Sequence, residues 1–320
     1  MKSPKGKSPK RNFQRRNNPA TGEAPISPTH WKREVWSENF REEIELLKQY
    51  LPKFPIVAID TEFPGFLRYT PKGVTEEEFY DCLQFNVNRL SILQLGLTLC
   101  DEKGNIGMTW EFNFRDFDQI SDMEGVSSLD SFLKNKGFDF EKLRSHGIAP
   151  QEFGRLFKPI LRSGGIQRWI TFHGSYDIAY LMKLVEIRFM PASMAAFAIT
   201  AQRLFGTVTD LKHMARYCNG LLDGNLGLKK LAKLLDVNRI GTAHFGGSDS
   251  LLTASVYAKM KTMFKLPEHL SEGFLYGLPH PIRALRQPIT IGDPSPPSRC
   301  LVSSFSQSPL VFVGDFLIIG

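Results

Sequence analysis

Asp60 and Glu62 stand two residues apart at the end of the apolar run Ile56, Val57, Ala58, Ile59. Such a run reads as a buried strand. A strand repeats every two residues, so both carboxylates point to one face. Two carboxylates placed together repel unless a cation lies between them, and a divalent metal is the simplest such cation. Taken alone, D-x-E is a common tripeptide in which the aspartate caps a turn and the glutamate is solvated. Further ligands elsewhere in the chain therefore decide between the two readings.

Two later stretches offer them. Residues 168–172 read as a strand, and Asp177 follows in the first turn of the next helix. A carboxylate is favoured there by the helix dipole in any protein; the functional alternative has it reaching back over the strand ends beside Asp60 and Glu62. The glycine-rich loop at 241–247 then leads into the last strong helix, with Asp249 in its first turn and His244 five residues before it. An N-terminal helix acid and an exposed loop histidine are the ordinary readings of that pair. Together the four acids match the charge of two divalent cations. Oxygen-only ligands suit Mg²⁺ or Mn²⁺ better than zinc. Two ions about 3.5–4 Å apart would bracket a phosphodiester. The attacking water then needs a proton acceptor, and an ordinary histidine, titrating near ~6.5, suits that task at neutral pH; His244 is the candidate. His173 reads as a core histidine, Asp210 as a helix N-cap, and His213 as packed or solvated.

The elements that must position these groups follow from periodicity. A helix is expected over 30–50, with Trp31, Val35, Phe40, Ile44 and Leu47 near one face. Strands are expected at 56–62, 91–98 and 107–114, the last two joined by a turn at 101–105, giving an antiparallel meander. A helix at 76–86 lies between the first two. Helices at about 127–136, 139–146 and 150–162 precede the strand at 168–172. Helices at 175–185, 193–204, 210–218, 226–235 and 247–264 complete the set. The pattern predicts an α/β fold, a mixed β-sheet flanked by α-helices.

Composition bounds the rest. Of a net charge of +7 over 320 residues, +6 falls within residues 1–29, where seven Lys/Arg face Glu23 alone. The basic character thus belongs to a front segment expected to be a disordered tail, and residues 279–320, rich in Pro and Ser, are expected to be a flexible extension. The four cysteines are widely spaced with no C-x-x-C, which argues against a zinc site or disulfide framework and suits a reducing intracellular compartment. No apolar run reaches the roughly 20 residues of a membrane helix.

The motifs AIDTEFPG (58–65), ILQLGLT (92–98), FHGSYD (172–177) and GSDSLLT (247–253), in this order, resemble the DEDD superfamily of 3′-exonucleases in its histidine subclass. More closely, they are similar to the Pop-type catalytic deadenylase subunit of the CCR–NOT complex, in a plant-like form. The resemblance covers about residues 30–278 and departs from the usual pattern at Asn88, at Phe245 and over 191–197. It implies a ribonuclease H-like fold. It also implies metal ligands at Asp60, Glu62, Asp177 and Asp249 and a general base at His244. The activity implied is 3′-to-5′ removal of poly(A) with release of AMP. The partners implied are the mRNA 3′ end, the scaffold subunit and the second deadenylase of the complex, in nucleus and cytoplasm. The alternatives are a catalytically inactive adaptor of the same complex and a DNA 3′-exonuclease.

Overall fold

A computed structural model describes residues 32–117, 137–186, 189–267, 270, 272–278 and 281–282. The chain divides into two units, Met1–His30 and Trp31–Gly320, and every described residue lies in the second. The expected front tail, the helix at 127–136 and all but residues 281–282 of the expected extension at 279–320 fall outside the described residues. Ile282, just beyond the expected boundary at 278, is fully buried, and its carbonyl accepts from Val208 N at 3.2 Å.

In chain order the elements are β1 (Arg33–Val35), α1 (Phe40–Tyr50), β2 (Ile56–Glu62), α2 (Glu76–Arg89), β3 (Gln94–Cys100) and β4 (Ile106–Asn113). They continue with α3 (Phe140–His146), α4 (Pro150–Arg162), β5 (Arg168–Thr171), α5 (Ser175–Val185), α6 (Met194–Phe205) and β6 (Val208–Asp210). The series closes with α7 (Leu211–Met214), α8 (Leu228–Leu234) and α9 (Gly246–Phe264). The six strands form one mixed sheet in the order β1-β4-β3-β2-β5-β6. The meander β2-β3-β4 is antiparallel, as the sequence predicts, while β2-β5, β5-β6 and β1-β4 pair parallel.

Two expectations are corrected. Residues 33–35 are an edge strand beside β4, and the helix begins only at Phe40. Val35 is buried because it lies in the sheet, and not because it shares a helix face with Phe40. Residues 208–210 likewise form a strand ahead of α7. A three-residue strand is too short for a two-residue period to announce it.

β2 sorts its side chains by parity. Val57 and Ile59 enter the larger apolar cluster with α1, α2, α4, α5 and α6. Ile56 and Ala58 enter the second, with α7, α8 and α9. Asp60 and Glu62 continue the parity of residues 56 and 58, so they emerge on the face that α9 covers.

Candidate active site

The start of α9 is seated on the sheet by contacts that only small residues allow. A Cβ on Gly96 of β3 would stand 1.7 Å from the carbonyl oxygen of Gly246, and no side chain tolerates that approach. Gly246 N donates to Gln94 Oε1 at 3.3 Å, and Gly247 N to Glu111 Oε2 at 3.1 Å. Glu111, buried on β4, is in turn paired with Lys32. Glycine at 246 and 247 thus lets the helix start approach the strands, and the strand side chains accept its otherwise unpaired N–H groups.

Immediately before this helix His244 takes a left-handed backbone, with φ of 65°. Its N–H donates to Asp249 Oδ2 at 2.7 Å, which ties the loop to the helix. The other oxygen, Oδ1, pairs with Arg239 at 2.6 Å. Glu62, the exposed His244 and Asp249 each offer one ligand atom, and the three atoms lie within 4.8 Å of one another. The structure therefore gathers groups that stand 62, 244 and 249 residues along the chain.

Asp60 and Asp177 adjoin this triple without belonging to it. Burial, then the charges of Asp249, Asp177 and Glu62, push the Asp60 carboxyl well above the usual carboxylate range, against the opposing pull of Arg239. Asp177 Oδ1 accepts from Thr61 N at 2.7 Å and Thr61 Oγ1 at 2.6 Å. Thr61 has the opposite parity on β2, which is why Asp177 approaches the strand end from the α5 side. Burial raises the Asp177 carboxyl to about 7, although the Thr61 bonds pull the other way. Four carboxylates, with Asp60 and Asp177 buried where their charge is disfavoured, make an oxygen donor set beside an exposed imidazole. That chemistry fits a hard divalent cation and would neutralise the repulsion.

His173 and His213 are engaged elsewhere. His173, also left-handed with φ of 59°, turns its ring edge-on to Tyr276. Burial, followed by the charge of Lys212, lowers it to about 4. His213 is buried and stacked on Phe274. Asp210 does cap α7, accepting from Lys212 N, but its carboxylate also accepts from the N–H groups of His173, Gly174 and Tyr276. This clamp, the Thr61 support and the Arg239 counter-charge escape a reading of the sequence. None has a local pattern, and each exists only because distant segments meet.

A mixed sheet with antiparallel and parallel strands, helices on both faces and acids at the end of its inner strand β2 defines a ribonuclease H-like nuclease fold. Residues 35–153 match the CAF1 family ribonuclease. "Probable CCR4-associated factor 1 homolog 7" of Arabidopsis thaliana is 40% identical over 263 residues, covering 77% of this chain and 92% of its own length. Poly(A) ribonuclease pop2 of Schizosaccharomyces pombe is 36% identical over 249 residues, covering 75% and 71%. The solved structure of S. pombe Pop2p in its Mg²⁺ and Mn²⁺ bound form is 34% identical with a TM-score of 0.67, over 78% of this chain and 100% of that one. A chain from the structure of the yeast NOT1 MIF4G domain co-crystallized with CAF1 is 27% identical with a TM-score of 0.62, over 75% and 92%. The chain belongs to the CAF1 family of ribonucleases.

Proposed function

We propose that this chain is a metal-dependent 3′-to-5′ exoribonuclease that shortens poly(A) at the 3′ end of messenger RNA and releases AMP. The observation that carries the reading is the convergence of Glu62, His244 and Asp249 within 4.8 Å, beside an Asp60 whose charge three carboxylates oppose. In this reading Asp60, Glu62, Asp177 and Asp249 hold two divalent ions, Mg²⁺ or Mn²⁺. Bound ions supply Lewis acidity and positive charge to the phosphodiester. His244 accepts the proton of the attacking water. Asp249 fixes the His244 loop through its backbone N–H, and Thr61 holds the Asp177 carboxylate in one orientation. The chain's likeness to a protein named poly(A) ribonuclease, and to CAF1 crystallised with NOT1, supports poly(A) as substrate. It also supports a place on the scaffold of the CCR–NOT complex. The proposal further includes the second deadenylase as a partner and action in nucleus and cytoplasm. Among the described residues no helix is long and apolar enough to cross a membrane.

The test is digestion of 5′-labelled oligo(A) RNA, and of the matched DNA, with Mg²⁺ or with EDTA. Stepwise shortening of the RNA from its 3′ end, abolished by EDTA and by Asp60→Ala in a folded protein, is expected. An Asp60→Ala variant with full activity overturns the ligand assignment. Equal cleavage of the DNA overturns the RNA preference, because 2′-hydroxyl contacts distinguish the two polymers.

A further inference from the structure

Beyond Glu62 the chain turns out of the site along a line of aromatic rings. Phe63 is stacked on Tyr176 with centroids 5.3 Å apart and meets Phe66 edge-on at 5.6 Å; Phe66 meets Tyr69 at 5.9 Å. The inner rings belong to the core, but Tyr69 is 57% exposed. Beside it the guanidiniums of Arg68 and Arg89 lie 3.9 and 3.7 Å from the centroid of Phe85. Two groups that close to one centroid must occupy opposite faces of the ring, so each arginine turns its outer face away from Phe85. Both arginines are exposed, and neither pairs with a carboxylate among the described residues.

The surface is held rigid from beneath. Buried Asn86 accepts from Leu67 N and Arg68 N, each at 2.9 Å. It also donates to Arg68 O at 2.8 Å and to Tyr176 Oη at 3.1 Å. Internal packing accounts for Phe63 and Tyr176. It does not account for an exposed tyrosine or for two guanidiniums without a carboxylate partner: among the described residues Arg89 donates only to Phe85 O at 3.4 Å, and an exposed cation–π contact is worth only about 0.5–1 kcal/mol. Flat faces alternating with positive charge are what a single nucleic-acid strand uses: bases stack on rings and guanidinium planes, and phosphates neutralise the charge.

We infer that the surface formed by Phe66, Arg68, Tyr69, Phe85 and Arg89 is the track for the single-stranded nucleotides upstream of the scissile phosphate. The inference rests on the 3′-exonuclease reading. Such an enzyme leaves one nucleotide downstream of the cut, so a surface leading several rings outward from Glu62 serves the upstream strand. It assigns substrate-holding residues outside the acids and His244.

The test is binding, in EDTA and in the full-length protein, of fluorescent oligo(A) of 20 and of 4 nucleotides, followed by anisotropy. Tyr69→Ala should weaken the 20-mer about fivefold or more, and the 4-mer less, with Tyr69→Phe restoring the loss. The double variant Arg68→Gln/Arg89→Gln should lower the slope of log affinity against log salt by about 1.4, the value for two phosphate contacts to a single strand. These side chains point outward, so melting temperature should stay near that of the wild type. Unchanged 20-mer affinity in Tyr69→Ala, or equal losses on both lengths, overturns the track. Hydrolysis plays no part in this readout. A wild-type protein that binds through Tyr69 yet degrades nothing would overturn the catalytic reading and leave the track standing.

Discussion

Asp177 combines the demands of the site in one carboxylate. An unfolded aspartate titrates near ~3.9, and this one is raised to about 7 by burial. The native state therefore holds its proton where the unfolded state has lost it. This group's contribution to stability is complete below about pH 4 and is lost as pH rises to about 7. Asp177→Asn keeps an acceptor for Thr61 and removes the charge. In EDTA the variant should be more stable than the wild type by up to about 4 kcal/mol at pH 8, with the difference shrinking toward pH 4, and it should be inactive with Mg²⁺. Denaturant melts across that pH range check the first half, and oligo(A) digestion the second. His244→Ala should lower kcat by about 10²–10⁴-fold, the usual loss on removing a general base, with far less effect on oligo(A) affinity. Single-turnover rates set beside anisotropy separate the two. Asp210 is a different kind of residue: four backbone N–H groups from three segments converge on it. Asp210→Ala should cost about 2 kcal/mol or more, because it strands buried donors; a melt within the error of the wild type would refute the clamp.

At the scale of elements, α9 is the part whose placement matters most. Its first turn carries Asp249, the loop before it carries His244, and both depend on Gly246 lying against Gly96. Gly96→Ala places a methyl group 1.7 Å from the Gly246 carbonyl, so strand and helix must separate. A loss of about 1–3 kcal/mol is expected from overpacking of this kind, with activity falling further than stability because two site residues move together. Wild-type turnover in Gly96→Ala would mean that the helix start tolerates displacement. The loop between β3 and β4 follows simpler rules. Asp101 Oδ1 accepts from the N–H groups of Lys103 and Asn105, and Gly104 adopts φ of 84°, the turn chemistry that the residue types demand.

For the molecule as a whole, acids gathered at the sheet end are a local excess of negative charge that bound cations would relieve. Mg²⁺ should raise the melting temperature, and more at pH 8 than at pH 5, because the carboxylates must lose their protons to bind; an equal shift at both would argue against carboxylate ligands. Much of this molecule is legible along the chain. The apolar run of β2, its parity, and the setting of each acid at an element edge are local consequences of side-chain type and backbone period. Local patterns do not carry distance. Thr61 supports Asp177 across 116 residues, and Arg239 meets Asp249 only through a loop's fold. The strands β1 and β6 are made strands by their neighbours, not by three residues of their own. Amino-acid type and spacing determined which chemistry the chain could host. Packing of the helices on the sheet decided which groups meet, because those contacts join segments that no repeat along the chain relates.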